Sequence, residues 1–122
     1  MIDDPADVDF LMKQIEAALP LEAVLTDRFI KMFKEESPNV KWPEKCKIIS
    51  LFYMGDEGGI MCALAIEGVE KEGIVTSLTH LHFYKNMPLA TEIAFYQKRR
   101  TRHLKKEQAY DLRLFTREAG AA

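Results

Sequence analysis

The feature that most restricts the fold of this chain is a set of three apolar stretches joined by two short connections that contain glycine. The stretches cover residues 46–54, 60–66 and 74–84, and their β-branched and aromatic content is typical of strands. Short connections join antiparallel neighbours, so the sequence predicts a three-stranded antiparallel meander. The middle stretch is apolar at every position, which is typical of a central strand or one covered on both faces.

Two helices are predicted before these strands. Asp4 and Pro5 form a typical helix start, and apolar residues recur at helical spacing over 8–19. A second apolar stripe at helical spacing covers 21–33, and Ser37-Pro38-Asn39 ends it.

A long helix is predicted after the strands, because apolar residues recur over 89–104 behind Pro88. Residues 109–115 either extend this helix or pack separately. The expected fold is α+β, with two N-terminal helices, a three-stranded antiparallel meander sheet and a long C-terminal helix. The 122 residues fit one domain, 1–122, with a frayed tail at 118–122.

The composition indicates a globular cytoplasmic protein. Hydrophobic residues make up 48% and charged residues 30%, and no apolar run approaches the ~20 residues that span a bilayer, so no membrane contact is expected. The acidic amino-terminal residues do not resemble a secretory signal. A small secreted domain usually carries more cysteines than Cys46 and Cys62, so we expect two buried thiols. The strand separation between them argues against a disulfide.

Positive charge is concentrated towards the carboxyl end of the chain. Residues 1–97 contain 9 Lys or Arg and 16 Asp or Glu, a net charge of −7, whereas residues 98–122 contain 8 and 3, a net charge of +5. Six cations fall within nine residues of the last predicted helix: Lys98, Arg99, Arg100, Arg102, Lys105 and Lys106. These residues are the predicted contact for an acidic protein partner.

Two other interpretations of the basic residues remain open. They can be a solvated helix end whose cations complement the helix dipole, or they can neutralise phosphates of a nucleic acid. Nucleic acid is not favoured, because no aromatic side chain interleaves the run and the pI is near 5.9.

A second candidate site lies in the third predicted strand. His80 and His82 are two residues apart, so in a regular strand both would face one pocket. Cys62 faces His80 or Thr79, depending on the strand register, and Tyr84 lies nearby. Two imidazoles do not complete a zinc site, and no third group orients a Cys–His pair. Neither a metal nor another cofactor is therefore expected.

These features predict a non-enzymatic binding or regulatory module that contacts an acidic partner through residues 98–106. A homo-oligomer, formed through the sheet or the last helix, is expected because aromatic residues cluster there. The alternatives are a small ligand-binding protein or enzyme whose pocket contains His80 and His82, and a nucleic-acid-binding regulator.

Overall fold

The computed structural model describes residues 3–34, 41–69 and 73–121, which form helices on an antiparallel sheet. The elements are α1 (Pro5–Ala17), β1 (Leu21–Leu25), α2 (Asp27–Lys34), β2 (Lys45–Tyr53), β3 (Ile60–Ala65), β4 (Val75–Ser77), a 3-10 turn (Leu78–His80), β5 (Leu81–His82) and α3 (Ala90–Ala121). The mixed α+β class and the antiparallel sheet are confirmed.

Within the described residues the sheet has five strands in the order β4-β3-β2-β1-β5, and every neighbouring pair is antiparallel. The predicted three-stranded meander is therefore wrong in strand number. The β2–β3 hairpin and the pairing of β3 with β4 agree with the predicted meander. The strands β1 and β5 were not predicted, and they extend the sheet on the other side of β2.

The first missing strand is β1, which occupies the beginning of the predicted second helix. Leu21, Val24 and Leu25 fit a helical spacing, but Leu21, Ala23 and Leu25 also alternate as in a strand, and all are buried. Pairing with β2, in which Leu21 lies opposite Ile48, decides between the two patterns. The helix α2 begins only at Asp27. The preceding residue, Thr26, accepts a hydrogen bond from the Phe29 N–H through its hydroxyl at 3.2 Å.

The predicted third strand is interrupted after Ser77 by the 3-10 turn. The Ser77 hydroxyl accepts from the Thr79 N–H at 3.3 Å and donates to the Gly58 carbonyl at 2.8 Å, which bends the chain away from β3. The residues after the turn pair with β1 as β5, at the opposite edge of the sheet. One predicted strand therefore becomes two short edge strands.

The ends of the outer helices follow the sequence signals. The Asp4 carboxylate accepts hydrogen bonds from the N–H groups of Ala6 and Asp7, with Pro5 at the first helical position. The helix α3 is continuous to Ala121, so residues 109–115 extend it. Ala122 lies outside the described residues, and the frayed tail stays a prediction.

The core lies between one face of the sheet and the helices. Ile48 and Ile60 of the sheet are fully buried together with Ile15 of α1, Phe29 of α2 and Ile93 of α3. Each such side chain contributes about 1.5–3 kcal/mol by leaving water. The opposite face of the sheet is open, because the alternating residues of β2 on that face are exposed.

Candidate functional site

The predicted contact residues of α3 divide into an exposed group and a bound group. Four cations are exposed: Lys98, Arg102, Lys105 and Lys106. We call these four residues the cationic stripe. None of them forms an ion pair with another residue that the structure describes.

Arg99 and Arg100 are less available to a partner, because each forms an ion pair within the protein. The Arg99 Nη1 atom lies 2.8 Å from Asp7 Oδ2 of α1, in a pair that is partly exposed. Arg100 is only 2% exposed, and its Nη1 atom lies 2.7 Å from Asp3 Oδ2. Arg100 is therefore not part of the exposed surface predicted to contact a partner, and Arg99 is paired with Asp7 of α1.

A buried polar network surrounds the Arg100 guanidinium. Asp3 Oδ2 also accepts from the Tyr53 hydroxyl at 2.7 Å, and Arg100 Nη2 donates to the Asp56 carbonyl at 2.6 Å. Burial, followed by the hydrogen bond to Asp3, raises the pKa of Tyr53, so its hydroxyl keeps its proton and donates at neutral pH. The network connects the amino-terminal segment, the β2–β3 turn and α3. It is structural in character, because each buried charged or hydroxyl group is satisfied within it.

Gly59 lets this network approach the turn closely. Its φ is +65°, and a Cβ atom there would contact the Tyr96 hydroxyl and lie 2.9 Å from the Arg100 guanidinium carbon. The Tyr96 hydroxyl accepts from the Ile60 N–H at 2.9 Å, and burial raises its pKa to about 12. A residue with a side chain would displace the two α3 residues that hold the hairpin.

The two histidines do not face one pocket, because the 3-10 turn removes the strand alternation between them. His80 is half-buried, and its Nδ1 atom lies 3.3 Å from the Thr76 hydroxyl. Burial, and secondly the charge of Arg28, lower the pKa of His80. His82 is exposed and packs edge-on against the Tyr84 ring, with 5.6 Å between ring centroids.

Cys62 and Tyr84 are also separated from each other, because Cys62 lies on β3 and Tyr84 follows β5. Cys62 lies opposite Thr76 on β4, which is neither of the two registers considered from the sequence. It is fully buried, and burial, followed by the neighbouring Cys46, raises the pKa of its thiol to about 12. The Tyr84 hydroxyl instead donates to the exposed Glu44 carboxylate. Cys62 is therefore a protonated core thiol at neutral pH and a poor nucleophile.

A groove of about 370 Å³ lies between α1 and α3, and sequence reasoning missed it. Its apolar wall includes Val8, Leu11 and Tyr96, and the aromatic rings of Phe10 and Phe95 border it. The phenylalanines are 66% and 68% exposed. The sequence did contain a sign of this exposed surface, because Phe10 and Phe95 are aromatic residues that lie outside the apolar stripes of their helices.

The open face of the sheet carries a second set of exposed apolar residues. Ile49, Phe52 and Met54 are all exposed, and Phe52 lies directly opposite Met61 of β3. Antiparallel sheets with one solvated face usually carry polar residues there, so this apolar set is a candidate contact surface.

Comparison of the chain with protein-family models, curated proteins and solved structures gives no match. Within the described residues, no helix is long and apolar enough to cross a bilayer. The same residues contain no group of three or more His, Cys, Asp or Glu side chains arranged to hold a metal ion. The function is therefore inferred from the described surfaces.

Proposed function

We propose that this protein is a non-enzymatic binding module that holds an acidic surface of a partner protein on the cationic stripe of α3. The observation that carries the proposal is the exposure of four neighbouring cations without an ion-pair partner among the described residues. Elsewhere Lys13 pairs with Asp9 and Lys45 with Glu22, whereas Lys41 and Lys85 are exposed single lysines. The stripe differs from all of these because it gathers four exposed cations on one helix.

The spacing of the stripe suits one continuous acidic surface. Lys98, Arg102 and Lys105 follow one another at steps of four and three, which align side chains on a helix. Lys106 lies about 12 Å along the axis from Lys98 at 1.5 Å per residue. A partner therefore needs carboxylates spread over about two helical turns.

The strength of this contact follows from its exposure. An exposed ion pair contributes at most about 1 kcal/mol, so four pairs contribute at most about 4 kcal/mol, which corresponds to a Kd of about 1 mM or weaker. Charge alone therefore supports weak binding that falls with added salt. Tighter binding requires additional apolar contact.

An acidic protein fits the stripe better than a nucleic acid does. A shallow concavity beside the stripe is bordered by Gln97, Lys98, Thr101, Arg102 and Lys105, and none of these described residues is aromatic. Single-stranded nucleic acids usually stack their bases on aromatic side chains.

The separation of the candidate catalytic groups also supports a binding role. His80 and His82 have different surroundings, and the Cys62 thiol is buried and protonated. A Cys–His nucleophile requires a deprotonated thiol within hydrogen-bond reach of its base. The enzyme alternative requires both histidines in one pocket, and the different surroundings of His80 and His82 weigh against it.

We propose in addition that two copies pair through the open face of the sheet, which carries Ile49, Phe52 and Met54. On this face Glu22 pairs with Lys45 at 3.3 Å and also lies opposite Lys47, so it offsets part of the positive charge that a second copy would meet. In a two-fold interface the same apolar patch is buried on both copies.

The experiment that tests the stripe measures binding of a fluorescein-labelled acidic peptide, rich in Glu, by anisotropy at low salt. The variant Lys98→Glu/Arg102→Glu/Lys105→Glu reverses three charges of the stripe. Its matched control, Lys31→Glu/Lys41→Glu/Lys85→Glu, changes the net charge by the same amount at exposed positions away from the stripe and from the open face of the sheet.

The proposal expects the stripe variant to lose binding and the control to retain most of it. Binding should weaken steeply as the salt concentration rises. Equal losses in both variants would mean that net charge alone attracts the peptide, and the proposal would fail. Binding of a single-stranded RNA oligonucleotide but not of the peptide would replace it with the nucleic-acid alternative.

A further inference from the structure

The groove between α1 and α3 is apolar along its wall and acidic along its rim. Val8, Leu11 and Tyr96 contribute to the wall. The rings of Phe10 and Phe95 flank the opening and remain mostly exposed, although both are large apolar side chains. Contiguous exposed aromatic surface of this kind marks an interaction site more often than a solvated surface.

The shape of the groove favours a segment of protein over an enclosed small molecule. The groove lies between two helices, has a volume of about 370 Å³ and is only partly enclosed. An amphipathic helix places apolar side chains three or four residues apart into such grooves. Phe10 and Phe95 would then pack against both sides of the inserted residues.

The charges at the rim indicate what must accompany those apolar side chains. Asp7 is paired with Arg99, whereas Asp4 and Glu92 form no ion pair with another described residue. Carboxylates therefore exceed cations around the opening. Lys or Arg residues beside the inserted side chains would be attracted, and Asp or Glu residues would be repelled.

We propose that this groove binds an amphipathic segment of a partner protein that presents bulky apolar side chains flanked by Lys or Arg. The groove is independent of the cationic stripe, because it shares no bordering residue with the concavity beside the stripe. The two surfaces select partners of opposite charge.

A second copy of the chain is a weaker candidate for the groove. Pairing of two grooves about a two-fold axis would bring the Asp4 and Glu92 carboxylates of both copies into one interface. Like charges placed together in this way repel each other.

The test uses two labelled synthetic peptides with the same Leu and Phe positions at helical spacing. One peptide carries Lys at its polar positions and the other carries Glu. Anisotropy titrations compare the unmodified protein with Phe10→Ser, Phe95→Ser and Glu92→Lys. Met32→Ser removes an exposed apolar side chain of α2, away from the groove and from the open face of the sheet, and is the matched control.

The proposal expects the Lys peptide to bind more tightly than the Glu peptide. Phe10→Ser and Phe95→Ser should each weaken its binding about tenfold, as for central interface residues, and Met32→Ser should leave it unchanged. Glu92→Lys should shift the preference towards the Glu peptide. Because both groove phenylalanines are mostly exposed, these variants keep the fold, which circular dichroism checks.

Three results would overturn the proposal. The first is equal affinity for the two peptides, and the second is unchanged binding in both groove variants. The third is a fall in molecular mass on Phe95→Ser, which would show that a second copy occupies the groove. A failure here leaves the acidic-peptide experiment on the stripe unaffected, since the probes carry opposite charges.

Discussion

The ion pair between Asp3 and Arg100 can be compared with a second pair that differs from it mainly in burial. Its oxygen and nitrogen are 2.7 Å apart, and its side chains are 4% and 2% exposed. Asp7 and Arg99 connect neighbouring positions of the same two segments at 2.8 Å, with side chains that are 66% and 40% exposed. The second pair is therefore an internal control for the first.

Replacing each aspartate by asparagine should have very different effects on stability. Asp3→Asn leaves the Arg100 guanidinium buried without a counter-charge, and removing one partner of a buried pair costs about 3–5 kcal/mol. Asp7→Asn leaves an arginine that water can solvate, so the cost is about 0–1 kcal/mol. The asparagine amide oxygen can still accept from the Tyr53 hydroxyl, so the difference reports mainly the lost charge.

Urea denaturation followed by circular dichroism measures both free energies of unfolding. With a slope of about 2 kcal/mol per molar urea, Asp3→Asn should lower the midpoint by about 1.5–2.5 M. Asp7→Asn should lower it by no more than about 0.5 M. Equal midpoints for the two variants would refute the reasoning.

A double variant separates the unpaired charge from the lost contacts. Asp3→Asn combined with Arg100→Met removes both charges from the interior. If the uncompensated guanidinium causes the loss, the double variant should be more stable than Asp3→Asn alone. A double variant that is less stable would show that packing and hydrogen bonds of the arginine dominate.

Three further predictions follow from other parts of the fold. Gly59→Ala should destabilise the protein by about 1–3 kcal/mol because of its positive φ and its contact with the Tyr96 hydroxyl, and an unchanged denaturation midpoint would contradict this. The pKa of His80 is lowered in the folded protein, so as the pH falls the imidazole binds a proton in the unfolded chain, at about pH 6.5, before it does so in the folded protein. Stability should therefore decrease as the pH falls below about 6.5. His80→Gln should reduce this decrease between pH 7 and 5, whereas the exposed His82→Gln should preserve it, and identical pH profiles would contradict the assignment. Phe52→Glu should convert the proposed dimer to a monomer in light scattering, and a monomeric unmodified protein at micromolar concentration would end the dimer proposal.

Local sequence signals predicted those elements whose formation is decided locally. The Asp4 cap, the hairpin around Gly59 and the long last helix all follow from neighbouring residues. The strand β1 does not, because Leu21, Val24 and Leu25 satisfy both periods. Only its pairing with β2, more than twenty residues away in sequence, selects the strand. The break after Ser77 depends on its hydrogen bonds to Gly58 and Thr79, which strand propensity does not represent.

The candidate sites show the same division. The exposed residues of the cationic stripe could be grouped from helical spacing alone. The burial of Arg100 was partly visible, since it lies four residues after Tyr96 on the apolar side of α3. Its partner Asp3 is 97 residues away and carries no local signal. The groove depends on the placement of α1 beside α3, so Phe10 and Phe95 could be recognised only as aromatic residues outside their stripes.

The central claim is that the cationic stripe is the contact surface for an acidic protein partner. Backbone amide chemical shifts, recorded by NMR during titration with the acidic peptide at low salt, test this claim most directly and suit a weak interaction. The account predicts shifts concentrated at residues 98–106 that disappear when salt is added. Shifts centred on the groove or around His80 and His82, or no shifts at millimolar peptide, would contradict it.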